Sequence, residues 1–204
     1  MADKIDFKKT LASYRATRGR FELVEVPDLQ YLMVDGHGDP NTSPAYAEAL
    51  AALYPTAYGL KFTSKRELGR DYVVPPLEGL WWADDPVAFT TARDKSQWDW
   101  TMMLLVPDWV GAELFEAVLA GIKDAPARLG DLRLETLSEG RCVQTLHVGS
   151  FDDEGPVLDR MHHQFIPGHG LRMSGKHHEV YLTDPRRTAP EKLRTILRQP
   201  VVAG

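Results

Sequence analysis

The chain has 204 residues, 43% of them hydrophobic, which is enough to bury one substantial core or two fused halves. Its 29 acidic and 24 basic side chains are interspersed and leave a net charge of −5, with no basic run or arm, so nucleic acid is not an expected partner. No apolar stretch approaches the ~18 residues of a transmembrane helix, the start MADKIDFKKTL is too charged for a secretory leader, and the single cysteine, Cys142, excludes an intrachain disulfide. These features predict a cytoplasmic protein without a membrane partner.

In chain order, Ile5 to Tyr14 predicts a short helix, and FELVEVP alternates as a strand stopped by Pro27 and Asp28. YLMVDGHG is a second strand. SPAYAEALAALY places Tyr46, Leu50, Leu53 and Tyr54 at helical spacing behind Ser43 as N-cap and Pro44 at the first helical position. Tyr72 to Ala83 predicts a strand broken by prolines, and Trp98 to Val106 another. Asp108 is placed to cap a helix whose stripe is Leu114, Phe115, Val118, Leu119 and Ile122. LRLETL and RCVQTLHVG predict a hairpin across Ser138 to Gly140. Val157, Leu158, Met161 and Phe165 mark a further helix, HHEVYLTDP a strand, and Thr188 with Glu191 a T-x-x-E capping box opening a final helix over 188–199.

This order repeats. A strand runs into Gly36, a helix follows, and then Gly59-Leu60; later a strand runs into Gly149, a helix follows, and then Gly170-Leu171. The pattern predicts a single α+β domain over 1–204. It contains a pseudo-two-fold tandem of βαββ units, roughly 21–106 and 132–183, on an antiparallel sheet with a ligand cleft at the seam.

Three stretches could carry chemistry. In LEGLWWADD, strand alternation puts Glu78, Leu80 and Trp82 on one face and Trp81 on the other; in WDWTMMLLVP, Trp98 and Trp100 share a face. Packed together, these tryptophans make either an aromatic core or an aromatic box for a flat or cationic ligand. In HHEVYLTDP, Glu179 and Tyr181 share a face, and a carboxylate beside Val180 and Leu182 needs a partner, a hydrogen-bond shell or a ligand. Trp82 and Trp100 are expected to share one cavity with Glu179, with Trp81 and Trp98 in their place if the register slips by one. Asp84 to Gln97 could form a flap beside them. The seven histidines match no metal-ligand spacing, so no metal or other cofactor is expected, and there is no GxSxG elbow, P-loop or GxGxxG after a strand.

The strings PPLEGLWW, WDWTMMLLVP, VQTLHVGSFDDE and HHEVYLTDPRR with PEKLRTILRQPV resemble the GyrI-like small-molecule-binding family, over about 31–201. They look most like its stand-alone branch, which includes cyclopropanoid cyclopropyl hydrolases. The resemblance implies a tandem of two SHS2-type modules and a glutamate at the pocket floor, matched by Glu179, with aromatic walls. It further implies a xenobiotic-detoxifying hydrolase that opens the cyclopropane of yatakemycin- or duocarmycin-type alkylators. Glu179 and Tyr181 are the expected catalytic pair. Trp82, Trp100, Glu78, Trp81, Trp98 and Phe165 are the expected ligand contacts, in a monomer or weak homodimer. The alternatives are non-catalytic sequestration of hydrophobic, often cationic, small molecules and an interaction protein such as a gyrase modulator. The family's regulators carry an N-terminal DNA-binding helix-turn-helix that this sequence lacks, so control of transcription by this chain alone is not expected.

Overall fold

The computed structural model describes residues 4–84 and 94–204; most of the expected flap lies outside them. The elements are α1 (Phe7–Thr10), β1 (Glu22–Val26), β2 (Leu29–His37), α2 (Pro44–Thr63), β3 (Leu77–Trp82), β4 (Asp99–Leu105), α3 (Ala112–Gly121), β5 (Arg133–Leu137), β6 (Gly140–Val148), α4 (Gly155–Arg160), α5 (Ile166–Gly168), β7 (Leu171–Met173), β8 (His177–Tyr181) and β9 (Arg194–Ala203). A π turn, Met161–Phe165, joins α4 to α5. The strands form one antiparallel sheet in the order β1-β6-β9-β8-β3-β4-β2-β5, with β7 on β9.

Outward from the central β3–β8 pair, the order is β4, β2 on one side and β9, β6 on the other. In chain order these sides read β2-α2-β3-β4 and β6-α4-α5-β7-β8-β9. How the two sides are tied together is visible only in the strand pairing. Val26 pairs with Gly140 and Leu29 with Leu137, so β1–β2 and β5–β6 run alongside each other as two kinked strands of one ribbon. The expected β5–β6 hairpin is therefore a correction. Ser138 and Glu139 make a kink, and the Glu139 carboxylate turns inward to His178 and Arg198, where a hairpin apex would point it to water.

The last helix is a second correction. Only Pro190–Lys192 is helical, as a 3-10 turn, and β9 follows. Leu193, Ile196 and Leu197 are spaced as on a helix. Thr195, Ile196, Val201 and Val202 are β-branched, Pro200 would break a helix, and the slot between β6 and β8 buries both faces of the segment. Two boundaries also shift: α3 begins behind Gly111 and not at Asp108, and Tyr72 makes only an isolated bridge to Ile5 before β3 starts.

The sheet has apolar material on both faces. One carries α2 and α3 over Leu32, Val34, Trp100, Met102 and Leu104. The other encloses Tyr31, Leu80, Met103, Val180 and Ile196, covered by the N-terminal segment through Phe7, Leu11 and Tyr14. No described helix is long and apolar enough to cross a membrane.

Candidate functional site

Residues directly opposite in an antiparallel pair share a face. Gly79 lies opposite Glu179, and Trp81 opposite His177. The face that carries Glu179 and Tyr181 therefore also carries Leu77, Gly79 and Trp81. A cavity of about 440 Å³ opens above it, at the junction of the two units. Its aromatic walls are Trp81 from β3, Trp98 just before β4, Tyr46 from α2, Phe151 from the turn before α4, and Tyr181. Trp81 and Trp98 meet edge to face at 5.8 Å, as do Phe151 and Tyr181 at 5.6 Å. At the rim, Lys95 of the first unit is 2.9 Å from Asp152 of the second.

Three carboxylates line the cavity: Glu179 and the buried Glu154 within the aromatic space, and exposed Asp152 at the rim, held by Lys95. Glu179 Oε2 accepts a 2.8 Å hydrogen bond from the Tyr181 hydroxyl, and Oε1 lies 3.5 Å from His177 Nε2. The Tyr181 oxygen in turn accepts a 2.9 Å bond from the Trp81 indole N–H. Burial, and then the negative charge of Glu179, hold the Tyr181 phenol well above its ordinary pKa, with Glu154 adding to the effect. Tyr46 is raised by the same two causes. Both phenols therefore stay protonated.

Of the expected site residues, the fold brings Glu179, Tyr181, Trp81 and Trp98 together. It leaves four outside the cavity. Trp82 alternates to the opposite face, half-buried under the Lys176 ammonium, 3.2 Å from its ring centroid. Trp100 is on the cavity face but fully buried: Tyr46 packs edge-on against it at 5.4 Å, and it lies so close over Gly36 that a Cβ there would come within 2.0 Å of the ring. Phe165 packs against Phe21 and His169 in the core under the π turn. Tyr181, half of the expected catalytic pair, directs its single hydrogen to Glu179.

Glu78, the fourth, is on the far face in a buried polar cluster. Tyr14 and Tyr31 donate to it, and His178 Nε2 lies at 2.9 Å. His178 Nδ1 meets Glu139 at 2.9 Å, and Arg198 bonds Glu139, Gln144 and the Ser13 carbonyl. Although burial opposes charge on His178, Glu139 and Glu78 raise its pKa; burial likewise opposes charge on Glu139, yet His178 and Arg198 hold its carboxyl at about 2. This cluster fastens the N-terminal segment, β6, β8 and β9 together.

Glu154, Tyr46 and Phe151 were not singled out from the sequence. Tyr46 counted only as part of a helix stripe. SFDDE carries the pattern of a solvated acidic turn, which fits exposed Asp152 and Asp153, but the 3-10 turn Phe151–Glu154 rotates Glu154 inward to 2% exposure. No periodicity of two or 3.6 would have marked it. Among the described residues, no group of three or more His, Cys, Asp or Glu side chains is arranged to hold a metal ion.

Comparison with known proteins agrees with this architecture. The GyrI-like small molecule binding domain matches residues 20–202. An uncharacterized conserved protein from Listeria innocua is 40% identical, with 98% of this chain and 100% of that chain covered and a TM-score of 0.86. A hydrolase from Listeria innocua is 39% identical over 98% and 100% of the two chains, with a TM-score of 0.82. The C-terminal domain of EcmrR, at 12% identity, 91% and 98% coverage and a TM-score of 0.55, shares the fold alone. A search of curated proteins found no match. With its family model spanning residues 20–202 and relatives 39–40% identical over nearly the whole chain, the protein belongs to the GyrI-like small-molecule-binding family.

Proposed function

We propose that the protein is a hydrolase of flat, aromatic, electrophilic small molecules, and that cyclopropane-bearing DNA alkylators of the yatakemycin and duocarmycin type are its substrate class. The observation that carries this reading is the pair of carboxylates, Glu154 and Glu179, among five aromatic side chains in a cavity of about 440 Å³. That volume lies within the range for drug-sized ligands. The likeness to a Listeria innocua protein named a hydrolase, at 39% identity, supports the same reading.

In the reaction, the aromatic walls sandwich the flat ring system. Water attacks the cyclopropane methylene. A C–O bond forms, the strained C–C bond breaks, and its electron pair moves into the dienone, whose oxygen becomes a phenolate. Glu179, held by Tyr181, takes the proton of the attacking water, a role that typically contributes about 10²–10⁴-fold. Glu154 faces the same space as a second proton acceptor. Because Tyr181 is committed to Glu179, the donors for the developing phenolate are other lining groups, Lys95, Asn41 and Thr188. The phenolate takes up a proton on release, so the product is the substrate plus one water. Such a product no longer alkylates.

Incubation with a cyclopropane-dienone compound, followed by mass spectrometry, tests the proposal. Product heavier by one water, in molar excess over protein, is the expected result. Compound recovered unchanged after tight binding would replace hydrolysis with sequestration, in which the two carboxylates serve as counter-charges for cationic ligands.

A further inference from the structure

Tyr181 is bonded on both sides, and the chemistry of its partners fixes the direction of each bond. An indole N–H only donates, so the 2.9 Å contact from Trp81 Nε1 uses a lone pair of the Tyr181 oxygen. An ionised carboxylate only accepts, so the 2.8 Å contact to Glu179 Oε2 uses the one hydrogen the phenol has. The three groups make a one-way chain, Trp81 to Tyr181 to Glu179, in which each bond polarises the next.

The chain has room because residue 79 has no side chain. A Cβ on Gly79 would stand 2.8 Å from Trp81 Nε1, 3.2 Å from Trp81 Cε2 and 3.2 Å from the Tyr181 oxygen. The first distance is a clash and the others are tight, so any larger residue displaces the bonded pair. Gly79 also lies opposite Glu179 across the central strand pair, so the niche and the carboxylate it serves are cross-strand neighbours.

We propose that Trp81 is a positioning residue for Glu179. Its indole N–H, in the niche that Gly79 leaves open, turns the Tyr181 hydroxyl onto Oε2 and so fixes the orientation and charge of the carboxylate. Trp81 also forms part of the cavity wall, edge-on to Trp98, and replacement by alanine would remove both roles at once. Phenylalanine at this position keeps an aromatic wall and removes only the donor. The activity arm of the test rests on the hydrolase reading above; the spectroscopic arm does not.

In the spectroscopic arm, the indole ¹H–¹⁵N resonance of Trp81, identified by its loss in Trp81→Phe, is followed through a pH titration. Among the described residues, Tyr181, Tyr46 and His177 face Glu179, and Glu154 acts on its partner Tyr181. The inflection due to Glu179 is therefore the one that Glu179→Gln abolishes. The expected result is such an inflection in the wild type and its loss in Tyr181→Phe. A Trp81 resonance indifferent to Glu179→Gln overturns the proposal. In the activity arm, Trp81→Phe is expected to lower kcat about 3–10-fold, the size of one charge-assisted bond weakened by a neighbour, with KM within about two-fold. The low-pH limb of the kcat/KM profile, which a general base sets, should move up by roughly half a pH unit. Gly79→Ala, which keeps both side chains but pushes the bonded pair apart, should move kcat and the profile the same way, and it serves if Trp81→Phe does not fold. Wild-type kcat and profile in either folded variant overturns the proposal. If the wild type itself shows no turnover, the hydrolase reading fails and the resonance alone decides the relay.

Discussion

Replacing Glu179 by glutamine separates chemistry from structure at this site. The side chain keeps its shape, and its amide oxygen can still accept from Tyr181 at the 2.8 Å position, while its NH₂ faces His177. What disappears is the charge and the ability to take a proton. If Glu179 is the general base, turnover of a neutral cyclopropane-dienone falls by about 10²-fold or more while its binding is retained. The stability cost is small. A charge-assisted hydrogen bond becomes a neutral one, a loss of about 1 kcal/mol, partly offset because a side chain only 13% exposed no longer carries a desolvated charge. The melting temperature should move by no more than about 2–4 °C for a chain of this length. Turnover by mass spectrometry and a thermal melt on the same preparation are sufficient. A stable variant with wild-type turnover would refute the reasoning and pass the base role to Glu154, the other carboxylate within the aromatic space. It would not pass to Glu78, which lies on the opposite face of the sheet.

Three further outcomes are expected. Trp98→Ala should weaken ligand binding and reduce ligand-induced fluorescence quenching, while Trp82→Ala should leave affinity within about two-fold, since only the first lines the cavity; equal losses would contradict the assigned strand faces. Gly36→Ala should destabilise the fold by about 2–3 kcal/mol or more, read from a denaturant midpoint, because its Cβ would overlap the buried Trp100 ring. The Glu139 carboxyl is lowered from an unfolded value of 4.5 to about 2, so the stability it contributes is complete above pH 4.5 and drains away as pH falls toward 2. That contribution is about 3 kcal/mol, and acid melts of Glu139→Gln should lack most of this step.

Local pattern carried much of the architecture. Alternation marked β1 and β8, apolar runs ended by turn residues marked β2 and β4, and the stripe and Pro44 marked α2. The same alternation placed Trp81 and Trp82 on opposite faces and Glu179 with Tyr181 on one. It could not say which face of β3 meets which face of β8, because that depends on register between segments about a hundred residues apart. The observed pairing of Gly79 with Glu179 selects Trp81 over Trp82.

Trp98 and Trp100 were rightly given one face, but only the packing of α2 decided that Tyr46 would cover Trp100 and leave Trp98 open to the cavity. The sequence by itself determined the element types wherever one face was buried and the other wet, because that contrast writes a period of two or 3.6 into the chain. It misjudged β9, where a T-x-x-E pattern and leucines at helical spacing imitate a helix while both faces are buried, and the kink at Glu139, where turn residues imitate a hairpin apex. The site follows the same rule. Its residue types were legible in HHEVYL and LEGLWW. Their assembly into a cavity, and the entry of Glu154 into it, came from long-range pairing and a single turn of 3-10 helix.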